Sequence, residues 1–157
     1  MLRDRNLVPL SHQHQRVLAL CVRLDRAIHA GPIDLESWQQ EIHETFEREV
    51  CVHFEAEEKI VFPVAGQITK LQVVVAELRS EHEELRVLFA KAAQRDLRTE
   101  HLQQFVEKLA RHIRKEEREL FEGMQHEMDA ERLAEIGAAL DQALRAASRV
   151  CSMRKPR

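Results

Sequence analysis

Two pairs of side chains that bind metal ions in proteins recur at one spacing, far apart in the chain. Each pair is a histidine followed four residues later by a glutamate, namely His53 with Glu57 and His112 with Glu116. On a helix this spacing places both side chains on one face, one turn apart. Two single histidines, His14 and His82, lie in two further stretches of helical character. The order of histidine, pair, histidine, pair predicts a two-metal site inside a four-helix bundle.

The spacing alone is weak evidence, because a chain with nine histidines and many glutamates contains such a pair by chance. A third pair, His43 with Glu47, serves as a comparison. At about 100° per residue, His43 and Glu47 lie about 60° and 100° from Phe46, away from the apolar stripe of their helix. His53 and Glu57 lie within about 40° of the same reference. Of these two pairs, only the second is expected to face the core.

The pair formed by His112 and Glu116 also lies among core residues. With Leu109 as the reference, Glu116 lies within about 40° of the apolar stripe and His112 about 60° from it. An isolated carboxylate in an apolar core costs several kcal/mol, so each inward glutamate must be neutralised, paired or bound to metal. A metal site explains both pairs at once. Imidazole together with carboxylate suits iron, manganese or zinc, and the residues alone do not choose among them.

Length and composition favour one all-α domain. The chain has 157 residues, enough to bury a sizeable core. It contains only four glycines, four prolines and no tyrosine, with 32% charged residues beside 44% hydrophobic ones, which is typical of helical proteins. We expect a single domain over residues 1–157, made of a bundle over about residues 8–126 and an extra C-terminal helix over about residues 129–150.

Start and stop signals predict the bounds of the helices. We expect one helix from an N-cap at Ser11 to about residue 30, one from an N-cap at Asp34 to about residue 61, one after a capping box at Thr69 and Gln72, and one over about residues 99–124. The turn after the second helix is predicted at Pro63 and Gly66. Short loops favour an antiparallel up-down-up-down order. The extra helix is expected to pack across the bundle or against a partner, and residues 152–157 are expected to fray.

Charge and cysteine usage bear on partners and compartment. The formal net charge is −3 and the basic residues are scattered among acidic ones, so we expect no nucleic-acid partner. No apolar stretch is long enough to cross a membrane, and we expect no membrane partner. The three cysteines, Cys21, Cys51 and Cys151, lack metal-finger spacing and are expected to be reduced thiols of a cytoplasmic protein. The sequence leaves open whether the chain forms a homodimer.

Four short motifs resemble those of the hemerythrin-like HHE cation-binding proteins, over about residues 8–145. They are Leu10-Ser-His-Gln-His14, His53-Phe-x-x-Glu57-Glu, Glu81-His82-x-x-Leu85-Arg86 and His112-x-x-x-Glu116. The resemblance implies a non-haem centre of two iron ions with an oxo or hydroxo bridge. It further implies that Glu57 and Glu116 bridge the irons, and that the terminal ligands are His14, His53, His82 and His112. The implied function is to bind or process dioxygen, nitric oxide or peroxide.

The chain differs from the oxygen-carrying hemerythrins at one position. Those proteins have a further histidine four residues after the one at His82, where this chain has Arg86, as in a subgroup of similar bacterial proteins. The missing ligand leaves an open coordination position, or one filled by water or another carboxylate, and this argues against simple reversible oxygen transport. Arg86 either overhangs the site and stabilises a bound peroxide or oxyanion, or pairs with a surface acid. Glu58 is either a solvated acid or an additional iron ligand.

Three other functions remain open at this stage. The chain could be a redox enzyme that decomposes peroxide or reduces nitric oxide, and whether it is an enzyme stays undecided. It could handle iron or repair damaged iron centres. It could also be a bundle that uses its metal for stability and serves as an interaction module.

Overall fold

The computed structural model describes residues 2–153, with side chains up to residue 147. The described part contains five helices: α1 Val8–Ala30, α2 over residues 35–65, α3 Gln72–Ala93, α4 over residues 99–127 and α5 Ala130–Met153. The predicted all-α class and extra C-terminal helix are therefore confirmed, whereas the up-down-up-down order stays a prediction. The tail predicted to fray begins too early, because residues 152–153 still belong to α5, and residues 154–157 lie outside the described residues.

The sequence predicted the start of α2 correctly and the start of α1 about one turn too late. Helix α1 begins at Val8, one turn before the predicted N-cap at Ser11, with Pro9 in its first turn, where a missing N–H costs nothing. The Ser11 hydroxyl instead donates a hydrogen bond of 2.7 Å to Glu117 on α4. The predicted N-cap at Asp34 is confirmed, because its carboxylate accepts the backbone N–H of Ser37.

The turn between α2 and α3 begins at Gly66, as predicted, but Pro63 is not part of it. Helix α2 runs through Pro63 to Ala65, because a wider π-turn precedes the proline and places it in the first turn of a new α-helical segment. The predicted capping box at Thr69 is wrong. Thr69 lies within a 3₁₀ turn, and its backbone carbonyl, instead of its hydroxyl, accepts the N–H of Gln72.

The bundle core consists of two apolar layers. One layer is built from residues such as Leu10, Val61, Leu78 and Leu120, and the other from residues such as Val17, Ile42, Leu85 and Leu109. Along α1, His14 follows Leu10 of one layer and precedes Val17 of the other, and His82 holds the corresponding place on α3 between Leu78 and Leu85. The sequence thus inserts a polar layer between two apolar ones.

Helix α5 packs onto the bundle itself. Its buried residues Leu133, Ile136 and Leu140 belong to the first apolar layer. The N-terminal segment also approaches α5 closely, since a Cβ atom on Gly137 would collide with the side chain of Asn6. Of the two alternatives predicted for the extra helix, packing across the bundle is the one observed. Within residues 2–153, the apolar part of every helix is too short or too charged for a membrane span.

Candidate metal centre

The polar layer contains the six residues predicted as metal ligands. None of them is more than 5% exposed, and all four bundle helices contribute: His14 from α1, His53 and Glu57 from α2, His82 from α3, and His112 and Glu116 from α4. The third HxxxE pair is not part of this layer, because His43 is only partly buried and Glu47 is exposed. The helical-wheel distinction between the HxxxE pairs therefore corresponds to a difference in burial.

Each of the two inward glutamates is the first residue of a π-turn. These turns are Glu57–Val61 in α2 and Glu116–Phe121 in α4, and α2 contains a third, Phe46–Val50, just before His53. Such wide turns are rare, and they occur frequently at functional sites. A helical wheel drawn at a constant 100° per residue cannot predict them, because each π-turn changes the direction in which the following side chains point around the helix axis.

Glu57 contacts imidazoles from both sides of the cluster. Its Oε1 atom lies 3.2 Å from Nε2 of His53, and its Oε2 atom lies 3.4 Å from Nε2 of His82. The two oxygens of one carboxylate therefore face different histidines. This is the arrangement that a carboxylate shared between two cations requires.

Glu116 is shared in the same way. Its Oε2 atom lies 3.0 Å from Nε2 of His14, whereas its Oε1 atom lies 3.2 Å from Nε2 of His112 and 3.6 Å from Nε2 of His82. Each carboxylate thus spans the space between the two halves of the layer. The histidines all turn Nε2 inward.

The spacing of these atoms fits metal ions. The ligand atoms fall into two groups, each within 4.8 Å of one another: His14, His53, Glu57 and Glu116 in one, and His82, His112 and Glu116 in the other. First-row metals lie about 2.0–2.2 Å from nitrogen and oxygen ligands, so ligands on opposite sides of one ion are separated by about twice that distance. Glu116 belongs to both groups.

Several inward atoms have no hydrogen-bond partner among the described residues. They are both carboxylate oxygens of Glu57 and of Glu116, and Nε2 of His82 and of His112. Native proteins seldom leave buried polar atoms unpaired, because each costs about 1–3 kcal/mol and charged groups cost more. The imidazoles approach the carboxylates at ion-pair distance without the geometry of hydrogen bonds. Lone pairs that converge in this way fit a pair of cations at the centre.

The electrostatics without metal lead to the same interpretation. Burial disfavours a charged imidazole, but nearby carboxylates, chiefly Glu116, outweigh it and raise the pKa of His14 and of His82 to about 9 and that of His112 to about 10. Burial likewise opposes ionisation of Glu116 and Glu57, but the imidazoles lower the pKa of both. Protons on His14, His82 and His112 therefore balance the buried carboxylates. Metal cations would take over this role and displace the protons.

A second group of side chains, here called the outer ring, holds the outward nitrogen, Nδ1, of each of the four inner histidines. The four contacts are Gln13 Oε1 to His53 at 2.8 Å, Glu58 Oε1 to His82 at 2.7 Å, Glu81 Oε2 to His112 at 2.8 Å, and Glu117 Oε1 to His14 at 2.7 Å. They form a closed cycle, because α1 supports α2, α2 supports α3, α3 supports α4 and α4 supports α1. Metal-binding histidines usually donate their second N–H to such an acceptor, which fixes the ring and strengthens its donation.

Each carboxylate of this outer ring is itself paired with a cation. Arg86 donates to both oxygens of Glu58, at 2.8 and 3.0 Å, Lys115 pairs with Glu81, and Arg3 pairs with Glu117 at 2.7 Å. Arg86 thus pairs with an acid, but this acid holds His82 and is only about a quarter exposed. Glu58, for its part, is neither a free solvated acid nor a member of the inner groups.

The sequence alone did not predict the outer ring. Its members could nevertheless have been found from their positions, because each is adjacent in sequence to an inner residue: Gln13 to His14, Glu58 to Glu57, Glu81 to His82 and Glu117 to Glu116. One position along a helix changes the direction of the side chain by about 100°. A residue beside an inward one therefore points toward the neighbouring helix, where it meets the outer nitrogen of that helix's histidine.

A small cavity lies beside the first group of inner residues. Its volume is about 10 Å³, and its walls include His14, His53, Val17, Val50 and Phe54. This is about the space that one water molecule needs. Aromatic rings also cover two of the imidazoles. The ring of Phe54 stacks on that of His82 with 3.8 Å between the ring centroids, and the ring of Phe121 stacks on that of His14 with 5.6 Å between them. Apolar side chains therefore cover much of the inner layer, and the cavity beside it has room for only a very small ligand.

Comparison with known proteins bears on the identity of this arrangement. A search among curated proteins and a search among solved structures each gave no match. The family model of the hemerythrin HHE cation-binding domain matches residues 7–124, a span that contains all six inner residues and the whole outer ring. Because this span covers more than half of the chain, the chain belongs to the hemerythrin HHE cation-binding domain family.

Proposed function

We propose that this protein is a non-haem di-iron protein that binds or processes dioxygen, nitric oxide or peroxide. The six inner residues, His14, His53, Glu57, His82, His112 and Glu116, would hold the two ions. The observation that carries the proposal is the set of buried carboxylate oxygens on Glu57 and Glu116, which have no hydrogen-bond partner among the described residues although four imidazoles surround them. Without cations such a layer would be costly to bury.

The protein's own groups have distinct tasks in this proposal. Glu57 and Glu116 each direct separate oxygens to the two halves of the layer and offset the repulsion between two cations. The outer ring keeps each Nδ1 protonated and each Nε2 free to bind metal. Two iron ions would supply redox chemistry and an open coordination position.

The size and character of the cavity support a small ligand. A volume of about 10 Å³ excludes organic substrates of ordinary size. Val17, Val50 and Phe54 form the apolar part of its lining and limit the water around a bound ligand. Dioxygen, nitric oxide and peroxide meet the restriction on size. A cytoplasmic location is part of the proposal and rests on cysteine usage, since neither Cys21 nor Cys51 forms a disulfide in the described part of the chain.

Anaerobic iron loading tests this proposal. The purified protein is stripped with a chelator, loaded with Fe(II), desalted and analysed for iron, and we expect two ions per chain. The reduced protein is then exposed separately to dioxygen, nitric oxide and peroxide, and we expect a distinct optical spectrum with at least one of them. Steady consumption of peroxide over many equivalents, or of nitric oxide over many equivalents when an electron donor is supplied, identifies an enzyme, whereas consumption that stops at two equivalents or fewer per chain identifies a binding protein. Iron that never exceeds one ion per chain contradicts the proposal.

A further inference from the structure

The outer ring has one member that differs from the rest. Glu58, Glu81 and Glu117 are carboxylates, whereas the ring position that serves His53 is the neutral amide of Gln13. Each carboxylate is also paired with a cation that holds it in place. The ring is therefore regular in geometry and irregular in charge.

The charge of the acceptor changes the donor strength of the imidazole. A hydrogen bond from Nδ1–H to a carboxylate is charge-assisted and about twice as strong as one to a neutral oxygen. It draws the proton outward and leaves more electron density on Nε2, which makes that nitrogen a better metal ligand. His14, His82 and His112 have this support. His53 does not, because an amide oxygen carries no net charge.

The direction of the His53 hydrogen bond follows from its two nitrogens. Nε2 lies 3.2 Å from Glu57 on the inner side, and it must be unprotonated to bind a metal. The ring proton of neutral His53 then sits on Nδ1, so Gln13 must present its carbonyl oxygen, as its Oε1 contact of 2.8 Å shows. Gln13 consequently supports the tautomer that binds metal without adding charge.

We propose that Gln13 makes the two metal positions unequal. In this inference, which rests on the proposed function, the ion held by His14 and His53 has one carboxylate-backed imidazole, and the ion held by His82 and His112 has two. The first position therefore releases its ion faster and is the position at which metal is lost. Gln13 acts through His53 as a positioning residue.

The experiment measures loss of iron from the Fe(II)-loaded protein to a colorimetric chelator under anaerobic conditions. The wild-type protein is expected to release its two ions in two kinetic phases. Outer partners of metal ligands typically change affinity by about 10–100-fold. Gln13→Glu, which makes all four ring members carboxylates, is expected to slow the fast phase by about tenfold or more. Gln13→Leu, which removes the acceptor, is expected to accelerate it.

Two further variants make the result specific. Glu81→Gln places an amide behind His112 and is expected to accelerate the slow phase by about tenfold, with the fast phase unchanged. Gln15→Glu adds the same charge at an exposed position of α1 and is expected to leave both phases unchanged. A merely structural Gln13 would make release faster in Gln13→Glu and in Gln13→Leu alike. Opposite effects of these two variants therefore separate donor tuning from local damage.

The results separate the inference about Gln13 from the di-iron proposal. Unchanged or faster release from Gln13→Glu, with two ions bound, overturns the inference and leaves the di-iron proposal standing. Fewer than two ions in the wild-type protein overturns both. If Gln13→Glu does not fold, as judged by circular dichroism, the Glu81→Gln variant decides alone, and an unchanged slow phase in that variant refutes the role of ring charge.

Discussion

Replacing Glu116 by glutamine tests whether the shared carboxylate binds metal. Glu116 is fully buried, and its two oxygens approach His14 on one side and His112 on the other. Glutamine keeps the size of the side chain and removes its charge. If Glu116 is a ligand of both ions, the variant must lose part of the stability that metal adds. If Glu116 is an ordinary buried ion-pair partner, metal-loaded and metal-free forms must lose the same amount.

The expected size of the effect follows from mass action. A ligand that binds only the native state stabilises it by an amount that falls by about 1.4 kcal/mol for each tenfold loss of affinity. Even outer partners of metal ligands cost about tenfold or more, so we take at least that for each ion. Two ions give about 2.8 kcal/mol. For a chain of this size, 1 kcal/mol changes the melting temperature by about 2–4 °C. The stabilisation by metal should therefore shrink by roughly 6–11 °C.

The assay is thermal unfolding followed by circular dichroism, with the metal-free and the iron-loaded form of each protein measured under anaerobic conditions. Comparing the two forms of one variant removes the cost of changing the buried charge itself. Glu47→Gln is the matched control, because Glu47 belongs to an HxxxE pair of the same spacing but is exposed. Its melting temperatures should change equally in both forms. An equal decrease in both forms of Glu116→Gln would refute the assignment of Glu116 as a shared ligand.

Three further predictions concern the stability of the protein. The metal-free form should lose stability in alkali, because the pKa values of His14, His82 and His112 are raised to about 9 to 10. Their contribution to stability is full below the unfolded value of 6.5 and is lost as pH rises through 9 and 10, which urea midpoints at several pH values will show. Constant midpoints from pH 7 to 10 would contradict this. Gln39→Leu should lower the free energy of unfolding in urea by about 1–3 kcal/mol, because the buried backbone N–H of Leu97 loses its only described acceptor. An unchanged free energy of unfolding would disprove that role. Gly137→Ala should cost about 1–3 kcal/mol because its methyl group collides with Asn6, and the same substitution should cost little in a protein that already carries Asn6→Gly.

The sequence predicted the bundle because two independent periodicities agreed. Apolar residues at helical spacing marked the buried faces, and His14, His53, His82 and His112 fell on or beside those faces. Asp34 was located correctly because an N-cap is a local feature: its carboxylate reaches a backbone N–H three residues away. Ser11 was placed wrongly for the opposite reason. Its hydroxyl is used in a contact with Glu117, 106 positions away in the chain, which no local pattern reveals.

Two other features of the site could not be predicted from periodicity: the π-turns and the outer ring. The π-turns at Glu57 and Glu116 change the phase of the helix, and a fixed angle per residue cannot express them. The outer ring is also a property of helix pairs, because each member serves a histidine on another helix. A periodic pattern locates Glu58 only on its own helix. Its contacts with His82 and Arg86 are on α3, and no pattern within α2 predicts them.

A crystal structure of the iron-loaded protein, with anomalous scattering recorded at the iron edge, tests the central claim most directly. We predict two anomalous peaks in the buried layer, one beside His14 and His53 and the other beside His82 and His112. Oxygens of Glu116 should lie within ligand distance of both peaks. A single peak at full occupancy, peaks among exposed acidic residues, or a bundle helix that contributes no ligand would contradict the account.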